Sequence, residues 1–132
     1  MDIHERRALL IREHNPDIKL DYVISITGHM AAPGEVDSSA IHLRYVPDKA
    51  ILSPASFGRY LDTLGTMAWE TLEEGAAAVL NDVNNVLITR WLQVSISAPD
   101  QVHHGIDRHE VLLEDRQPNW DNVGLLSRLK LH

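Results

Sequence analysis

Between residues 39 and 98 the hydrophobic repeat changes twice, and that order limits the folds open to the chain. Residues 39–46 alternate, with Ile41, Leu43 and Tyr45 opposite Ala40, His42, Arg44 and Val46. A repeat of two places every second side chain on one face of a strand. From Ser53 the repeat becomes helical. Ser53-Pro54 reads as a helix start, with serine at the N-cap and proline at the first helical position, where its missing N–H costs nothing. Phe57, Leu61 and Leu64 follow at helical spacing with Tyr60 beside them, and Gly65 is the expected end. A second helix is expected over about 67–87, with Leu72, Ala76, Val79, Leu80, Val83 and Leu87 as its apolar stripe. Gly75 and the alanine run at 76–78 allow close approach to a sheet or another helix. Residues 89–98 return to a repeat of two, with Trp91, Gln93 and Ser95 opposite Leu92, Val94 and Ile96.

The flanks complete the pattern. Residues 18–26 alternate Ile18, Leu20, Tyr22, Ile24 and Ile26 against Lys19, Asp21, Val23 and Ser25, which predicts a strand before the first one above. It ends in residues 27–36, where Pro33-Gly34 is a turn dipeptide. Pro47-Asp48 closes the next strand, and a connection at 99–104 leads to a fourth strand near 106–113. The order ββααββ predicts one α+β domain over residues 1–132, an antiparallel four-stranded sheet with both helices on one face. The other face must then be covered or polar. Residues 1–16 read as a short helix or arm, and residues 115–132 as a tail whose Leu125, Leu126, Leu129 and Leu131 fit a short helix.

Composition narrows the chemistry. At 132 residues the chain can bury a sizeable core. It has no cysteine, which excludes disulfides, thiolate metal sites and a cysteine nucleophile. A net charge of -7 argues against a broad basic surface for nucleic acid. The first 15 residues are too charged for a signal peptide or a membrane span. The expectation is a cytoplasmic protein with neither nucleic acid nor membrane as partner.

Several short stretches, taken in order, resemble the 7-cyano-7-deazaguanine reductases of queuosine biosynthesis, members of the tunnelling fold. They are Arg44-Tyr45-Val46-Pro47-Asp48, Tyr60-Leu61, Glu73 followed by Asn81-Asp82, Arg90-Trp91 and Val94. From Glu73 to Val94 the match needs no gap; one extra residue lies between Tyr60 and Glu73. Gly34-Glu35-Val36-Asp37 is similar to the family's Gly-Gln-Pro-Asp, and Gly105-Ile106 to the end of its Arg-Gly-Gly-Ile. The resemblance implies the tunnelling fold, a homo-oligomer whose sheet continues from one subunit to the next, and a site between subunits for a purine- or pterin-like ring.

The resemblance also implies that most of the reductase machinery is gone. The family's cysteine nucleophile falls on Met30, a thioether with no ionisable proton. Its catalytic aspartate, a proton donor, falls on Asp37 and is kept. Its substrate-holding His-Glu pair falls on Leu72 and Glu73, so only the glutamate survives. Its Glu-Ser-Lys-Ser segment, tied to NADPH, falls on Ser53-Pro54-Ala55-Ser56 and has lost both charges, so the cofactor is unassigned.

Each retained residue has a plainer reading beside the functional one. Glu73 can accept two parallel hydrogen bonds from a ring N–H and an exocyclic NH₂, or be a helix-surface acid beside Glu70 and Glu74. Asp37 is a proton donor or an Asx turn. Trp69 stacks on a ring beside Glu73 or packs in the core. His29, His42, His103, His104 and His109 supply material for zinc, but no two show the paired spacing on one strand face, so no metal ligand is assigned. Ser53 and Ser56 read as helix-start residues. Three functions stay open: a ring-binding relative of the reductases, a non-catalytic structural or binding subunit, and a zinc-dependent cyclohydrolase- or synthase-like enzyme.

Overall fold

A computed structural model gives the architecture and describes residues 1–30, 38–99 and 103–129. In chain order the elements are α1 (Ile3–Ala8), β1 (Arg12–His14), β2 (Ile24–Met30), β3 (Ser39–Val46), β4 (Ala50–Leu52), α2 (Pro54–Gly65), α3 (Leu72–Leu87), β5 (Trp91–Ser97), β6 (Glu110–Arg116) and α4 (Val123–Leu126). The main sheet has four antiparallel strands in the order β2-β3-β5-β6, and β1 pairs with β4 in a separate two-stranded sheet. One row of its register runs Ile26, Leu43, Val94, Leu113. That face is apolar and packs with Phe57, Leu61 and Leu64 of α2 and Val79 and Val83 of α3. The alternate face is polar over much of its length, with the paired Val46 and Trp91 buried at one end. On it the Arg44 Nε donates to Gln93 Oε1 at 2.8 Å, and Ser25 Oγ lies 2.7 Å from His42 Nε2.

The helix starts follow local chemistry. Ser53 Oγ accepts from the Ser56 N–H, as the Ser-Pro start predicts. α3 begins at Leu72, not near 67. Thr71 Oγ1 accepts from the Glu74 N–H at 3.1 Å, the N-cap half of a Thr-x-x-Glu capping box. The residues before it turn back on α2: the Met67 N–H donates to the Leu64 carbonyl, and so does the Trp69 indole N–H, at 3.1 Å. α3 ends at Ile88, whose φ of 54° lies in the left-handed region. A β-branched residue there is strained, and the Ile88 side chain is exposed.

The first predicted strand is shorter than its alternation implied. β2 starts at Ile24 and runs on to Met30, past the expected end at Ile26, while Ile18 and Leu20 are more than half exposed. Their carbonyls accept hydrogen bonds from the Arg90 guanidinium instead of from a neighbouring strand. The same guanidinium donates to Asp21, which also accepts from Trp120 Nε1 and Asn122 Nδ2. Burial pushes the Asp21 carboxyl up, but these three donors outweigh it and hold the group below the ordinary carboxylate range. β5 occupies residues 91–97, inside the expected 89–98, and β6 begins at Glu110, after an exposed Ile106 that the alternation had placed in the strand. β1 and β4 are three residues each, too short to show a repeat.

The N-terminal segment is a helix tied to the core. Asp82 on α3 is fully buried and accepts from Tyr60 Oη at 2.6 Å, Arg6 Nη2 at 3.0 Å and Arg7 Nε at 2.9 Å. Burial, reinforced by the bond to Asp82, raises the Tyr60 hydroxyl far above its ordinary pKa, so it stays a donor. The bond to Asp82 likewise raises Arg6.

Two substitutions test these assignments. Asp82→Ala leaves two guanidiniums without their anion and is expected to cost about 3–5 kcal/mol in chemical denaturation; a loss below about 1 kcal/mol would show the cluster idle. Ile88→Gly relieves the left-handed strain and is expected to stabilise by about 1 kcal/mol in the same assay, where a destabilisation would contradict the strained helix end.

Candidate functional site

The last rung of the main sheet and the N-terminus of α3 enclose a cleft. Met30 pairs with Ser39 across β2 and β3, and the Ala98 N–H donates to the His109 carbonyl just beyond β5 and β6. These residues form the floor, while residues 69–73 and Gly75 line the side made by the start of α3. The cleft has a volume of about 410 Å³. That lies in the range of roughly 300–1,000 Å³ that small-molecule sites occupy.

Glu73 sits in the first turn of α3, with its side chain partly exposed. Its Oε1 lies 2.6 Å from His109 Nε2, so helix and sheet meet across the cleft through a carboxylate–imidazole contact. The His103 ring is 6.2 Å from the His109 ring, tilted by 58°. A carboxylate offers about four lone-pair sites, so the histidine leaves Glu73 able to accept from a ligand. Leu72 and Glu73 also carry N–H groups that the helix itself cannot satisfy.

Trp69 forms one wall. Its indole is pinned through the N–H to Leu64, with the Arg6 guanidinium 5.9 Å from the ring centroid. Gly75 lies beside the same ring: a Cβ there would sit 3.7 Å from the indole Cγ, an ordinary contact. An alanine would therefore fit against Trp69, and the close approach expected of Gly75 is not required there.

Of the positions that the resemblance marks and that fall on described residues, Met30, Leu72 and Glu73 line this one cleft together with Trp69, whereas residues 53–56 do not. Asp37 lies outside the described residues, as does the Pro33-Gly34 turn. Ser53 and Ser56 serve the start of α2; Ser56 Oγ also accepts from the Ile11 N–H at 3.0 Å. Alternation places His29, an exposed residue, on the sheet face opposite Met30, and His42 is on that face with Ser25. Among the described residues, no three His, Asp or Glu side chains gather to hold a metal ion. The Glu73–His109 contact was not legible in the sequence, because it joins residues far apart that only the pairing of β5 with β6 brings together.

The remaining stretches behind the resemblance build the framework. Tyr60 bonds Asp82, Asp48 Oδ1 lies 3.3 Å from Arg90 Nη2, and the Tyr45 hydroxyl accepts from the Leu52 N–H at 2.8 Å.

This architecture, α+β with a four-stranded antiparallel sheet, is the tunnelling fold. A solved structure with the same fold is that of an archaeosine synthase QueF-like protein in the apo form. It matches with a TM-score of 0.53 and 23% sequence identity, over 71% of this chain and 91% of that one. No protein-family model and no curated protein sequence matches the chain. No helix among the described residues is long and apolar enough to cross a membrane.

Proposed function

We propose that this chain is a tunnelling-fold protein that binds a flat, purine- or pterin-like ring in the cleft under α3, and that it has lost nitrile reduction. The observation that carries this reading is the convergence of Met30, Trp69 and Glu73 on one cleft. Sequence resemblance alone had put the nucleophile position and the ring-reading glutamate at Met30 and Glu73, and the fold joins them. Glu73 accepts from the N–H and NH₂ edge of the ring, Trp69 offers its indole, and His109 holds the carboxylate in place. Asp37 is the residue we assign a proton-donating role.

The reductase step lacks its parts. A thioether cannot add to a nitrile as a thiolate does, and Ser53 and Ser56 are engaged in starting a helix. The same two facts favour the second reading, a binding subunit without chemistry of its own. β2 and β6 are the edges of the main sheet. An edge presents a row of unpaired N–H and C=O groups, and we assign these edges to pairing between copies in a closed homo-oligomer. The cleft, at the end of the sheet that includes edge residue Met30, then lies at a subunit boundary.

Titration of the purified oligomer with pterin, followed by tryptophan fluorescence, tests the reading. Saturable quenching is expected, weakened at least about tenfold by Glu73→Gln, since a hydrogen bond to a charged group contributes roughly 1.5–3 kcal/mol. The absence of saturable binding to the wild type would overturn ring binding. Enzyme-dependent oxidation of NADPH with 7-cyano-7-deazaguanine would overturn the loss of reduction.

A further inference from the structure

The N-terminal helix reaches the cleft through one side chain. Arg6 and Arg7 both donate to Asp82, but only Arg6 also lies over an aromatic ring, that of Trp69. The Arg6 side chain is largely buried, at 12% relative exposure, and Asp82 beneath it is fully buried. Its guanidinium is planar and bound to the carboxylate through two nitrogens, which fixes its orientation as well as its place. Trp69 belongs to the segment between α2 and α3, outside any helix or strand. Besides its packing against the core, its ring meets the Leu64 carbonyl through the N–H bond, Gly75 and the Arg6 guanidinium. The first fixes one edge of the indole. Gly75 lies beside the ring at a distance where a Cβ would make an ordinary contact. Of these contacts the guanidinium is the one held in a fixed plane by a buried anchor, Asp82.

We propose that Arg6 is a positioning residue: anchored on buried Asp82, it sets the plane of Trp69 and with it the aromatic wall of the cleft. The N-terminal helix would then be part of the apparatus of the site, although it does not line the cleft. The proposal rests on the ring-binding reading for its effect on a ligand, but the orientation of Trp69 can be read without any ligand.

The experiment compares Arg6→Gln, Arg7→Gln and Arg6→Lys in the full chain. Thermal unfolding gives the cost of each change, and acrylamide quenching of tryptophan emission, referenced to Trp69→Phe, isolates the Trp69 signal from those of Trp91 and Trp120. Arg6→Gln is expected to red-shift the Trp69 emission, raise its quenching, and weaken pterin binding roughly threefold to tenfold. Arg7→Gln also loses a bond to Asp82 but is expected to leave both the emission and the affinity as in the wild type. Arg6→Lys keeps the charge near Asp82 without the planar fork; it is expected to unfold near the wild-type temperature and still to change the Trp69 signal. Equal changes in emission for Arg6→Gln and Arg7→Gln, or none for either Arg6 variant, would overturn the positioning role. If the emission pattern holds while the wild type binds no pterin, the positioning role stands and the ring-binding reading falls.

Discussion

Asp82 is a fully buried carboxylate, and three side chains from two other helices satisfy it. A carboxylate removed from water is costly unless it is paired and hydrogen-bonded. Here α2 supplies the Tyr60 hydroxyl and α1 supplies two guanidiniums, so three helices meet at one side chain of α3. This contact turns the first residues from a free arm into a packed element. It also fixes how α1 approaches Trp69, and so ties this buried electrostatic contact to the wall of the cleft.

The stretches that resemble the reductases divide into two groups once the fold is known. Tyr60 with Asp82, Asp48 with Arg90, and Tyr45 with the Leu52 N–H hold elements together. Met30 and Glu73 instead line the cleft. The framework residues join separate elements, whereas the cleft presents a carboxylate and a thioether. The chain shares its fold with an archaeosine synthase QueF-like structure at 23% sequence identity. Function resides in the site rather than in the fold that carries it.

Where a signal was both local and periodic, the sequence was readable. Residues 39–46 form the predicted strand without adjustment, and the Ser53-Pro54 start and Gly65 end of α2 are as expected. The fold class followed from the order of repeats. Failures came where distant partners decide the local state. The alternation at 18–22 met no neighbouring strand, and Arg90 took its carbonyls instead. The start of α3 was marked by Thr71 and Glu74, a signal present in the sequence but overridden by the helical look of residues 67–70. At the site, Glu73 was reachable from the resemblance and Trp69 from its nearness to Glu73 in sequence, whereas the contacts of His109 and Arg6 are made only by the folded chain.

The central claim is that a flat ring occupies the space between the start of α3 and the last rung of the sheet. Hydrogen–deuterium exchange of the intact protein, with and without saturating pterin, tests it most directly. Ligand-dependent protection is expected in residues 69–75, where the Leu72 and Glu73 N–H groups lack helical partners, and in the chain around Ala98 and His109. Protection confined to the opposite sheet face, around Thr27 and Ser95, or none anywhere, would contradict the account.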